Sequence, residues 1–160
     1  MRDQLVYVLE GKGAHMTLED AVADFPLAEI NTKPPGVPYS FWHLVEHLRI
    51  CQSDILEFVR DPEHVSPEFP VGLWPAPDAE TDAEGWQQSI DAFRADLEAV
   101  IAITRDPALE LTAELSHAPG YTYLREILLV IDHNAYHTGE LAILRQALGL
   151  WAERAEESVF

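Results

Sequence analysis

The sequence predicts an all-α fold, a four-helix bundle with long crossover connections. Three observations carry this reading. Apolar residues recur at spacings of three and four in four separate segments, the period of a helix that buries one face. Capping patterns and prolines mark where those segments start and stop. No segment shows the apolar–polar alternation of a half-buried strand, and there is no internal repeat and no glycine-rich phosphate loop. Helices of this kind are stable only when each buries its apolar face against another.

Arg2 to Glu10 reads as a first helix with an apolar stripe of Leu5, Val6 and Leu9, stopped by Gly11 and Gly13. Thr17 is placed to cap a short helix running to Ala23, with Asp20 as the returning carboxylate. Pro26, Pro34, Pro35 and Pro38 then forbid regular structure until Tyr39. Ser40 caps the second long segment, whose stripe of Leu44, His47, Leu48, Cys51, Ile55 and Phe58 runs to about Arg60. Asp61 to Glu80 is an irregular connection with five prolines, and its Phe69, Leu73 and Trp74 demand burial. It reads as a strap packed across one end of the helices, with a wall of a substrate pocket as the alternative. Thr81-Asp82-Ala83-Glu84 reads as a capping box for a third helix carrying Trp86, Ile90, Phe93, Leu97, Val100 and Ile101. It ends near Arg105, and Asp106-Pro107 opens a short helical turn. After a break at His117 to Gly120, the fourth long helix runs to about Gly149. Residues 1–150 thus form one domain, and 151–160 an acidic C-terminal tail.

Composition narrows the function. With 48% hydrophobic residues, four tryptophans and six phenylalanines, the chain has ample material for a core. Ten basic against 28 acidic side chains give a formal net charge of −18. Phosphate backbones and anionic lipid surfaces want a basic footprint, so a nucleic-acid or membrane partner is not expected. No stretch is long and apolar enough to span a bilayer, and the first residues lack the pattern of a secretory signal, so the expected compartment is the cytoplasm. The single cysteine, Cys51, permits no internal disulfide and reads as a buried small hydrophobe, with a metal-adjacent thiolate as its rival.

The chemistry concentrates in the fourth long helix. His133 and His137 are four apart, so both imidazoles lie on one face, one turn from each other, where they can hold one ion. Val130, Leu141 and Leu144 share that face, which is therefore the buried one. His47 lies on the inward stripe of the second long helix, and if the two helices are neighbours three nitrogens converge. Three protein ligands with an open position is the catalytic arrangement rather than the closed structural one. Zinc, nickel, iron and cobalt all suit imidazole. His43, one turn before His47, is a candidate fourth ligand that sits off the stripe's centre. Asn134 stands where a zinc protease of the His-Glu-x-x-His type carries its base, and the glutamates of a di-iron bundle are missing. Glu140, three residues after His137, is the carboxylate best placed as catalytic base or orienting acceptor, while Tyr136 and Asp132 point elsewhere on the helix.

The segments Ser40-Phe41-Trp42-His43-Leu44-Val45-Glu46-His47-Leu48 and Asp132-His133-Asn134-Ala135-Tyr136-His137-Thr138-Gly139-Glu140 together resemble the paired motifs of the DinB-like superfamily. That superfamily also holds the YfiT-like metal hydrolases and the thiol-dependent S-transferases. The resemblance covers nearly the whole chain and implies a helical bundle with a histidine triad, here His47, His133 and His137. It implies a divalent metal, zinc or nickel, with water completing the shell, and homodimers. Glu140 departs from the family pattern, which usually has a glutamine or similar residue after the glycine. The expected function is a metal-dependent enzyme that activates a low-molecular-weight thiol or a water for S-transfer to, or hydrolysis of, a small molecule. The alternative is a metal-holding binding or stress-response protein without turnover. Arg49, Arg125 and Arg145 are the side chains available to meet an anionic thiol locally.

Overall fold

A computed structural model describes residues 1–151, so the expected acidic tail lies, beyond Trp151, outside the described residues. The fold is all-α apart from one small hairpin. In chain order the elements are α1 (Arg2–Leu9), α2 (Leu18–Val22), α3 (Phe41–Arg60), α4 (Ala83–Arg105), β1 (Glu114–Leu115), β2 (Ala118–Thr122) and α5 (Tyr123–Ala147). The long helices α3, α4 and α5 form the body, with α3 packed against both of the others. Helix α1 lies against α4 and α5, and α2 against α5.

The helix starts follow the side chains that receive their free N–H groups. Thr17 and Asp20 form a reciprocal capping box on α2. Ser40 caps α3 by accepting from His43 N, and the His43 ring returns the bond by accepting from Ser40 N. An imidazole here does the work of the usual glutamate. Helix α4 starts one step later than the sequence suggests, because Asp82, not Thr81, accepts from Gly85 N at 2.9 Å. The Thr81 backbone is held elsewhere, by both ends of the Asn31 amide. Thr122 caps α5. Helix α1 closes at Gly11, whose φ of +71° and tight approach to the Thr17 side chain leave no room for a Cβ.

Two local expectations are corrected. Asp106-Pro107 makes a turn in which Asp106 Oδ1 accepts from Ala108 N, not a turn of helix. The break read at His117 to Gly120 lies within an antiparallel hairpin, β1–β2, with Glu114 opposite Thr122 and Leu115 opposite Ala118. A two-residue strand with an irregular register is too short for alternation to reveal it.

The core has two parts. Phe41, Leu44, Val45 and Leu48 of α3 meet Trp86, Ile90 and Phe93 of α4, Leu141 of α5 and Leu18, Ala21 and Phe25 from the N-terminal region. Leu56, Val100, Leu111, Ile127 and Val130 form the other. Each fully buried valine, leucine, isoleucine or phenylalanine among them contributes about 1.5–3 kcal/mol. A polar tie joins the three long helices near the middle of α3: buried Gln52 donates to Phe93 O at 2.6 Å and accepts from Asn134 Nδ2 at 2.7 Å. The long proline-rich connection crosses the α3–α5 seam as a strap, with a single 3₁₀ turn at Val71–Leu73, but Phe69, expected to be buried, is 82% exposed and only Leu73 and Trp74 turn partly inward. No helix among the described residues is long and apolar enough to cross a membrane.

Candidate metal centre

The α3–α5 seam brings His47, His133 and His137 together, one donor atom from each lying within 4.8 Å of the others. His47 Nε2 is 3.2 Å from His137 Nε2 and 3.2 Å from His133 Nε2. A tetrahedral zinc with bonds of about 2.0–2.1 Å sets neighbouring nitrogens about 3.3–3.4 Å apart, so the His47 nitrogen already stands close to that spacing from each of the other two.

The outer nitrogens say what the inner ones offer. His47 Nδ1 donates to Leu73 O at 2.7 Å, and His137 Nδ1 donates to Glu140 Oε2 at 2.7 Å. In neutral rings each of those bonds fixes the tautomer and leaves Nε2 as a bare lone pair. Two lone pairs facing each other at 3.2 Å have no proton to share. A cation between them removes the repulsion, so this donor set fits a divalent metal. Burial favours the neutral form of two of the rings: it pulls His47 below the ordinary histidine range, and with the neighbouring histidines it pulls His133 to about 4. Nδ1 of His133 is buried with no hydrogen-bond partner, so this ring alone of the three lacks an anchor on its far side.

The strap and the loop before α3 complete the surroundings. The Trp74 ring lies flat on His47, with centroids 3.7 Å apart and planes within 6°. Tyr39 stacks on Trp74 in turn, with centroids 5.0 Å apart, and its hydroxyl donates to Glu140 Oε1. Burial and the adjacent Glu140 push the Tyr39 phenol up, so it stays a donor. Glu140 therefore has one oxygen on His137 and the other on Tyr39. Tyr136 packs edge-on against His137 and is 70% exposed. Sequence reasoning placed the histidines and Glu140 but not Tyr39, Trp74 or Leu73 O. The available signal was the density of aromatic residues in proline-rich loops.

His43 does not join the triad. Its Nδ1 is taken by Ser40, and its Nε2 donates to Ala76 O of the strap at 2.9 Å, so both nitrogens serve structure. Nor do the three arginines supply a basic lining. Arg49 is paired with Glu46, Arg125 with Glu126, and Arg145 is buried against backbone carbonyls. Cys51 is 6% exposed, with Sγ 3.4 Å from His47 Nδ1. Burial and nearby Asp54 push its thiol up to about 12, which keeps it protonated. Labelling by a thiol reagent in the native protein is expected to be slow, and equally slow with and without added metal. Rapid labelling confined to the metal-free form would make Cys51 a ligand-side thiolate instead.

The geometry can be set beside known proteins. A search of curated proteins finds no match to this chain. A family model described as the DinB superfamily matches residues 12–141. That stretch holds α2 to most of α5, the three histidines, Glu140, Tyr39 and the whole strap. The match spans most of the chain, and the chain belongs to the DinB superfamily.

Proposed function

We propose that His47, His133 and His137 hold one divalent ion, and that the protein is a metal-dependent enzyme acting on a small molecule by thiol transfer or hydrolysis. The observation that carries this reading is the facing pair of fixed Nε2 lone pairs on His47 and His137, with the third Nε2 beside them. Three protein ligands leave a position for a substrate atom. An ion held there supplies Lewis acidity, which makes a nucleophile of a thiol or a water near neutral pH. The chain's part is to aim His47 and His137 through their outer nitrogens, to hold His47 and His133 neutral by burial, and to shield His47 under Trp74. Zinc and nickel are the proposed metals, since three imidazoles suit both.

The surroundings favour some nucleophiles over others. Among the described residues, every arginine and lysine side chain with an assigned bond points to a carboxylate or a carbonyl away from the triad. Combined with a net charge of −18, this favours water or a neutral or cationic thiol over an anionic one. Reconstitution with zinc, nickel, manganese or iron tests the reading. Each form is given monochlorobimane with bacillithiol, mycothiol, glutathione or no thiol, and a panel of esters and amides. At least one metal form is expected to exceed the protein-free rate, and His137→Ala to abolish the excess. If no metal form exceeds that rate with any thiol or hydrolysable substrate, the centre holds metal without turnover, and the binding or stress-response reading takes its place.

A further inference from the structure

We propose that Tyr39 is a positioning residue of the metal centre, acting through Glu140 on His137. The inference rests on the metal reading above. Five side chains form a closed circuit around the seam. His47 stacks on Trp74, Trp74 stacks on Tyr39, the Tyr39 hydroxyl donates to Glu140, Glu140 accepts from His137 Nδ1, and His137 Nε2 returns to face His47 Nε2. Each link is short-range and directional, so the aim of His137 depends on where the Tyr39 hydroxyl holds the carboxylate.

The circuit assigns Glu140 a different task from that of a base. Its two oxygens are each engaged by a donor of this chain, one from α5 and one from the residue before the α3 cap. A carboxylate fixed at both oxygens cannot swing between conformations, and a fixed carboxylate holds the imidazole ring plane that its Nδ1–H must match. Without the hydroxyl, Glu140 keeps one anchor and can rotate about its last side-chain bond, and His137 rotates with it. Tyr39 reaches this point because the prolines from Pro34 to Pro38 deliver it to the helix start, and because its ring is clamped against Trp74. Partners of metal-bound histidines of this kind typically alter affinity by about 10–100-fold when removed.

A double-mutant cycle tests the proposal. Cobalt affinity is measured by competition with a chromophoric chelator for wild type, Tyr39→Phe, Glu140→Ala and the double variant, with melting curves of each metal-free protein alongside. Phenylalanine keeps the ring on Trp74 and removes only the hydroxyl. Expected are a loss of about 10–100-fold for Glu140→Ala and of roughly 3–10-fold for Tyr39→Phe. In the Glu140→Ala background, Tyr39→Phe should add less than twofold, because the link is already cut. Glu140→Gln keeps an acceptor for His137 Nδ1–H and should restore most of the loss seen with alanine. The visible cobalt spectrum should change in Tyr39→Phe while its metal-free melting temperature falls by no more than a few degrees. Tyr39→Phe affinity equal to wild type, or the same loss in both backgrounds, would overturn the inference and leave the metal reading standing. A wild-type protein that takes up no cobalt would overturn both.

Discussion

Single replacement of His47, His133 or His137 by alanine is expected to reduce metal content from about one ion per chain to background. The loss in affinity should exceed the about 10–100-fold expected from removing an outer partner such as Glu140, because a primary donor is gone. His47→Ala should be at least as damaging as the α5 variants, since its Nε2 lies 3.2 Å from both other rings and links the two helices. Metal analysis of protein purified without a histidine tag, followed by titration calorimetry, checks this. His43→Ala is the control: its nitrogens are bound to Ser40 and Ala76 O, so its metal content should match wild type even if stability falls. Equal and low metal in wild type and all three triad variants would reduce the cluster to three buried histidines.

The largest effect on stability is expected at Arg145. Its side chain is 1% exposed, with Nη1 on Ala21 O at 2.9 Å, Nη2 on Asp24 O at 3.2 Å and Nε on Leu150 O at 3.2 Å. The guanidinium also lies over the rings of Phe25 and Trp151. It closes the end of α2, where Asp24 turns the chain at a φ of +51°. Arg145→Ala leaves three carbonyls without their donor and a cavity the size of a long side chain. A loss of about 3–5 kcal/mol follows, or roughly 10 °C in melting temperature. Arg145→Met keeps most of the volume and should recover part of it, and metal content of the folded fraction should not change in either. Urea denaturation with metal analysis separates this structural role from a part in cofactor binding.

Much of the architecture could be read from residue order because it is set by local rules. Helix period, the Thr17 and Ser40 caps and the proline boundaries are properties of a few neighbouring residues. The same holds for the histidine pair on α5, whose spacing alone puts two rings on one face. His47 needed one further step, the adjacency of α3 and α5, and its ring centroid lies 5.0 and 4.7 Å from those of His133 and His137. What stayed hidden depends on distant partners. Thr81 resembles a cap, yet Asn31, fifty residues away, holds its backbone and Asp82 caps instead. Arg145 looked available to a ligand until the end of α2 folded over it. His43 looked like a fourth ligand, but its bonds run to Ser40 and to a strap carbonyl that no side-chain pattern announces.

The strap touches the histidines mainly through main-chain oxygens. Leu73 O receives His47 and Ala76 O receives His43, while Trp74 lays its ring on His47. A carbonyl is the same group in every residue, so exposed position 76 is free to drift and position 73 needs only an apolar side chain, as long as the loop keeps its path. The path is set by prolines at 70, 75 and 77, which need not be read by any partner. Half of what aims the imidazoles is therefore encoded as a curve rather than as letters. Two proteins with this centre can look unrelated over the strap and still hold their rings alike, and a comparison of loop traces will find that kinship where a comparison of residues does not.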